Sequence, residues 1–126
     1  MSCRIIATDG FKKDAKKLLK KYISLKAELA KLEADLALNP RMGTLIHNDT
    51  YKIRLAVKSK GKGKSGGMRI ITHIVEMSVQ IAEMQNTTIF LLTIYDKSDL
   101  ENIADKDLQY LIQTVKTEID DDEYIE

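Results

Sequence analysis

Residues 50–77 read TYKIRLAVKSKGKGKSGGMRIITHIVEM, two alternating runs joined by a basic loop. In the first run Tyr51, Ile53, Leu55 and Val57 alternate with Lys52, Arg54, Ala56 and Lys58. In the second, Met68, Ile70, Thr72 and Ile74 alternate with Arg69, Ile71, His73 and Val75. Successive side chains of a strand point to opposite faces, so each run is a strand with one side for a core. The connection KSKGKGKSGG (58–67) is therefore expected to join neighbours in one sheet rather than two domains. Its end, Gly63-Lys64-Ser65, matches a phosphate-binding P-loop, but lysine stands at position 58, where that pattern needs glycine. A P-loop also opens a helix, whereas GGMRIITHIV opens a strand. A solvated surface loop is the plain alternative for Lys60, Lys62 and Lys64.

Outward from this pair the pattern changes period. CRIIAT (3–8) is short and isoleucine-rich, a first strand. Phe11, Ala15, Leu18, Leu19 and Tyr22 mark one face of an amphipathic helix that has Lys12, Lys13, Lys16, Lys17, Lys20 and Lys21 on its other side. Ser24 is placed to cap a second helix with the stripe Leu25, Leu29, Leu32 and Leu36, which ends at Asn39-Pro40. TIFLLTIYDK (88–97) is apolar on both faces, as an interior strand should be, and simple alternation puts Thr93, Tyr95 and Lys97 on one side. AEMQNTT (82–88) reads as the polar connection before it. Ala104, Leu108, Leu111, Ile112, Val115 and Ile119 mark a last helix. The expected fold is α+β in the order β-α-α-β-β-β-α, a helical hairpin on a small, mainly antiparallel four-stranded sheet. One domain over residues 1–119 is followed by an acidic, frayed tail at 120–126.

Composition narrows the function classes. The chain has 126 residues, 44% of them hydrophobic, and no apolar run long enough for a bilayer. The start MSCRIIATDG lacks a charged-then-apolar leader, and a single cysteine, Cys3, allows no internal disulfide. A cytoplasmic protein is expected. The net charge of +1 hides segregation: residues 50–75 hold seven Lys or Arg and no acid, while residues 96–126 hold eleven acids and three lysines. The basic segment calls for a polyanion. Like charges on paired strands repel unless solvent or a phosphate screens them, so Lys52, Arg54, Lys58 and Arg69 are costly for folding and suited to holding phosphates. No Cys/His spacing points to zinc and the DDDE run lacks a calcium loop's glycine, so no metal or small-molecule cofactor is expected. His73 reads as a structural histidine, His47 as a loop residue, and Cys3 as a small hydrophobe.

From residue 51 to 103 the chain resembles the RelE-type toxins of bacterial toxin–antitoxin pairs, and within them the HigB-like branch. The resemblance rests on YKIRLAVKSKGKGKSGGMRIIT (51–72) and IFLLTIYDKSDLENI (89–103), with the element order agreeing along the whole chain. It implies a ribosome-dependent endoribonuclease that cuts messenger RNA and is held inactive by a cognate antitoxin protein. Carried over by position, Lys52, Arg54 and Arg69 match the family's basic site, and Lys97 falls in the basic stretch after the last strand. Where the founding pattern continues with an arginine and then a tyrosine, this chain has Ser98 and the NIA of 102–104, so Tyr95 and Lys97 are the candidates for the missing proton-transfer group.

The chemistry needs no metal. Attack by a 2′-hydroxyl requires loss of a proton, stabilisation of a phosphorane and protonation of a 5′-oxygen. Guanidinium groups present paired donors to non-bridging oxygens, which suits Arg54 and Arg69. A lysine set among other cations gives up its proton more readily, which suits Lys52 or Lys97. Tyr95 could stack on a base, and Lys58, Lys60, Lys62 and Lys64 could grip the RNA backbone. Two other functions fit the same residues: a non-catalytic binding protein of RelE/ParE type (a topoisomerase poison or a degenerate toxin), and a generic RNA-binding module.

Overall fold

The computed structural model of the chain describes residues 2–61, 66–79 and 84–124. Among the described residues five strands and three α-helices follow the order β1 (Ser2–Ala7), α1 (Asp9–Lys21), α2 (Leu25–Leu38), β2 (Thr44–His47), β3 (Thr50–Leu55), β4 (Met68–Val79), β5 (Met84–Asp96) and α3 (Asp105–Tyr124), with a 3-10 turn at Lys58–Lys60. One mixed sheet has the order β1-β5-β4-β3-β2; β1 runs parallel to β5 and the other pairs are antiparallel. Among the described residues no helix is long and apolar enough to cross a membrane.

Helices cover both faces of the sheet, where a single helical layer was expected. On one face Phe11, Ala15, Leu25, Leu32 and Leu36 of the helical hairpin pack against Tyr51, Ile53, Met68, Ile70, Ile74, Ile89, Leu91 and Ile94. On the other, Leu108, Ile112 and Val115 of α3 pack against Ile71, Phe90 and Leu92. The apolar sides of β3 and β4 thus turn to the hairpin, and Lys52, Arg54 and Arg69 turn to the α3 side. Cys3 is half-buried against the hairpin core.

Several local expectations change, each for a physical reason. TLIH (44–47) forms a strand where none was expected; it is a four-residue edge strand, exposed at Thr44, Leu45 and His47, and so carries no alternation to read. His47 accordingly lies on a strand. Thr8 is not strand: its hydroxyl accepts from the Phe11 amide at 3.1 Å as the N-cap of α1 and donates to the Leu91 carbonyl at 2.9 Å. Ser24 makes no capping hydrogen bond and instead donates to Glu28 at 3.0 Å. β5 begins at Met84, so most of the polar stretch 82–88 belongs to a long β4–β5 hairpin. α3 runs on to Tyr124, through the segment expected to fray.

Two corrections bear on the site. β3 ends at Leu55, so Lys58 does not share a face with Lys52 and Arg54; it opens the 3-10 turn beside α2, where Glu28 accepts from its amide at 2.8 Å. A bulge between Ile71 and Thr72, opposite Leu91–Thr93, shifts the β4–β5 register. Thr93 therefore points to α1, where Asp14 accepts its hydroxyl at 2.7 Å, while Tyr95 joins the α3-side cluster. The bulge breaks the shared side expected for Thr93, Tyr95 and Lys97.

Candidate functional site

Across the α3 side of the sheet, Arg54 lies directly opposite Arg69, and Arg69 opposite Tyr95. Directly paired residues of neighbouring strands project the same way, so one row of side chains crosses β3, β4 and β5. Two residues along β3, Lys52 points to the same side. Lys97 follows the end of β5, where its amide donates to the Gly67 carbonyl at 3.2 Å and closes the ladder. These groups meet: Lys52, Arg54, Arg69, Lys97, Glu101 and Asn102 line one hollow of about 250 Å³.

The wall opposite β3 is the loop 97–104, and it is held at both ends. At its start Asp96 is nearly buried, at 3% exposed. Its carboxylate pairs with the Lys60 ammonium and accepts from the Tyr22 hydroxyl at 3.0 Å and the Ser98 amide at 2.9 Å. Burial opposes the charged form, but Lys60, the Ser98 amide and Tyr22 outweigh it and hold this carboxyl at about 2. Farther along, Lys52 donates to the Asn102 side chain at 3.1 Å across the hollow.

Charge in the hollow is unbalanced. Arg41, outside it, is bound to Asp49 and Glu76 and donates to the Tyr51 hydroxyl at 3.0 Å. Lys52, Arg54 and Lys97, by contrast, join none of the ion pairs among the described residues. Arg69 is 3% exposed and donates to its neighbour's carbonyl, Met68 O, at 3.2 Å. Glu101 brings the one carboxylate of the lining. Such a lining has the charge and the guanidinium donors that could hold an anion, with one carboxylate residue among them.

The expected site residues divide into three groups. Lys52, Arg54, Arg69 and Lys97 come together in the hollow. Tyr95 lies beneath it: burial pushes its phenol up, the Ile103 backbone and the Arg69 charge pull partly back, and its hydroxyl makes no well-formed hydrogen bond. Of the loop lysines, Lys60 is not a free grip, since its ammonium is turned inward onto Asp96 and Ser98. Lys58 is exposed on the α2 side, and Lys62 and Lys64 lie outside the described residues. The stem of the loop is far from slack: Ser59 donates its amide to Ser24 Oγ at 2.9 Å and the two hydroxyls meet at 2.8 Å.

Glu101 and Asn102 were not foreseen. Their sequence signal was the departure from the resembled family's pattern just after the last strand, which marks a changed wall without saying what it does. His73 is 9% exposed and bonded to Thr50 Oγ1 at 2.8 Å. The Thr50 hydroxyl proton goes to the Asn48 carbonyl, so His73 donates through Nδ1, and burial lowers its affinity for a second proton. Among the described residues no cluster of three His, Cys, Asp or Glu side chains could hold a metal ion. No protein-family model matches the chain, and no solved structure matches it.

Proposed function

We propose that the chain is an endoribonuclease of RelE type, the toxin of a toxin–antitoxin pair, cutting messenger RNA on the ribosome in the cytoplasm and held in check by a cognate antitoxin protein. The observation that carries this reading is the convergence of Lys52, Arg54, Arg69 and Lys97 on one open hollow, at the positions where the resembled family places its basic site. A phosphodiester seated there has guanidinium donors for its non-bridging oxygens as the phosphorane forms. Lys97 stands at the rim as a proton donor to the departing 5′-oxygen.

The test is induction in cells followed by mapping of transcript 5′ ends. New ends within translated messages, lost on Arg54→Ala or Arg69→Ala and suppressed by co-expression of the antitoxin, are the expected result. Cuts that persist when translation is blocked would point to a free ribonuclease. One observation favours a second reading, a non-catalytic RelE/ParE-type binding protein: Arg69 is buried to 3% exposure, as a purely structural arginine would be. Growth arrest without new transcript ends would support it.

A further inference from the structure

We infer that Glu101 is the general base of this site, the group that takes the proton from the attacking 2′-hydroxyl; the assignment rests on the endoribonuclease reading. The argument is one of chemical capacity among the six residues lining the hollow. Arginine and ammonium groups offer donors and no acceptor lone pair. The Asn102 amide is no base, and its oxygen already accepts from Lys52. Tyr95 lies below the hollow with its phenol kept neutral by burial. Glu101 alone of the lining brings a proton acceptor, and among the described residues it joins no ion pair that would occupy it.

Placement supports the role. Glu101 is exposed and sits next to Asn102, whose hydrogen bond to Lys52 fixes this stretch of the loop over β3. The Asp96 cluster fixes the loop's other end. Glu101 thus shares the lining of the hollow with Lys52 and Arg54 of β3, Arg69 of β4 and Lys97 beyond β5.

In the step, the 2′-O–H bond breaks and its proton passes to the Glu101 carboxylate. The 2′-oxygen forms a bond to phosphorus while Arg54 and Arg69 hold the non-bridging oxygens. The P–O5′ bond breaks with its electron pair on the 5′-oxygen, which takes a proton from the Lys97 ammonium. A 2′,3′-cyclic phosphate remains, and solvent restores the protonation of Glu101 and Lys97.

The test uses the full chain on a messenger RNA programmed into ribosomes and on the same RNA free in solution, under single-turnover conditions. Glu101→Gln should slow cleavage about 100-fold or more, with binding of an all-2′-deoxy analogue not weakened. Glu101→Ala should be equally slow and should regain activity on addition of formate, which supplies a carboxylate without restoring any fold contact. Glu101→Gln cutting within about threefold of the parent while Arg69→Ala is inactive would overturn the assignment and leave the endoribonuclease reading standing. A parent chain that cuts neither RNA would overturn both.

Discussion

Asp96 is the residue on which the site's geometry depends most. Its carboxylate and the Lys60 ammonium are 3% and 8% exposed, so removing one charge strands the other away from water. Asp96→Asn should cost about 3 kcal/mol in denaturant unfolding. The sign of the pH effect follows from the direction of the shift. The folded carboxyl sits at about 2, below its ordinary 3.8, so the unfolded chain binds the proton more readily. Stability from this group is complete above pH 3.8 and disappears as pH falls towards 2; the difference amounts to about 2 kcal/mol. Unfolding curves of Asp96→Asn should lack that component of acid sensitivity. His73 makes a contrasting case. Its buried Nδ1–H bond to Thr50 supports the sheet rather than the hollow, so His73→Ala should lower stability by about 1 to 2 kcal/mol and, on the endoribonuclease proposal, leave cleavage unchanged.

Two short elements position the sheet's working edge. Thr8 caps α1 and ties it to β5 in the same hydroxyl, and Thr8→Ala should cost about 1 kcal/mol in thermal or denaturant melts. Gly43, at the entrance to β2, has φ of 100°, and a Cβ there would lie 2.6 Å from the Lys52 carbonyl oxygen and 2.9 Å from Ile53 Cγ1. Since the obstacle is the backbone of β3 itself, Gly43→Ala should destabilise by about 2 kcal/mol or more and displace Lys52 from the hollow. These elements also show what a sequence can reveal. β3 and β4 were legible because each alternates, β3 between apolar and basic residues and β4 between its hairpin side and a side that mixes Arg69 with Ile71, His73 and Val75, and that same alternation brought Lys52, Arg54 and Arg69 to one face. β2 was not, being a brief edge with little to bury. The bulge in β5 was hidden because that strand is apolar on both sides, so a slip of one residue leaves no trace in hydropathy. Glu101 escaped for another reason: a loop residue's place is set by the turn that follows Asp96 and by the hold of Lys52 on Asn102, and neither has a period.

For the whole molecule, charge distribution matters more than the sum of +1. If the cations of the hollow share one phosphate of single-stranded RNA, the hollow alone should make the logarithm of affinity fall with the logarithm of salt concentration with a slope of about −0.7. Lys52→Ala or Lys97→Ala should make that dependence shallower and weaken all sequences alike, which titration of a fluorescent RNA at several salt concentrations would measure. The topology also sets a schedule for the newly made protein. β1 is synthesised first but finds its partner only in β5, with Ser2 facing Asn86, and the hollow waits for Asn102. On the endoribonuclease proposal, a growing chain therefore lacks the complete cutting site until Asn102 has been added.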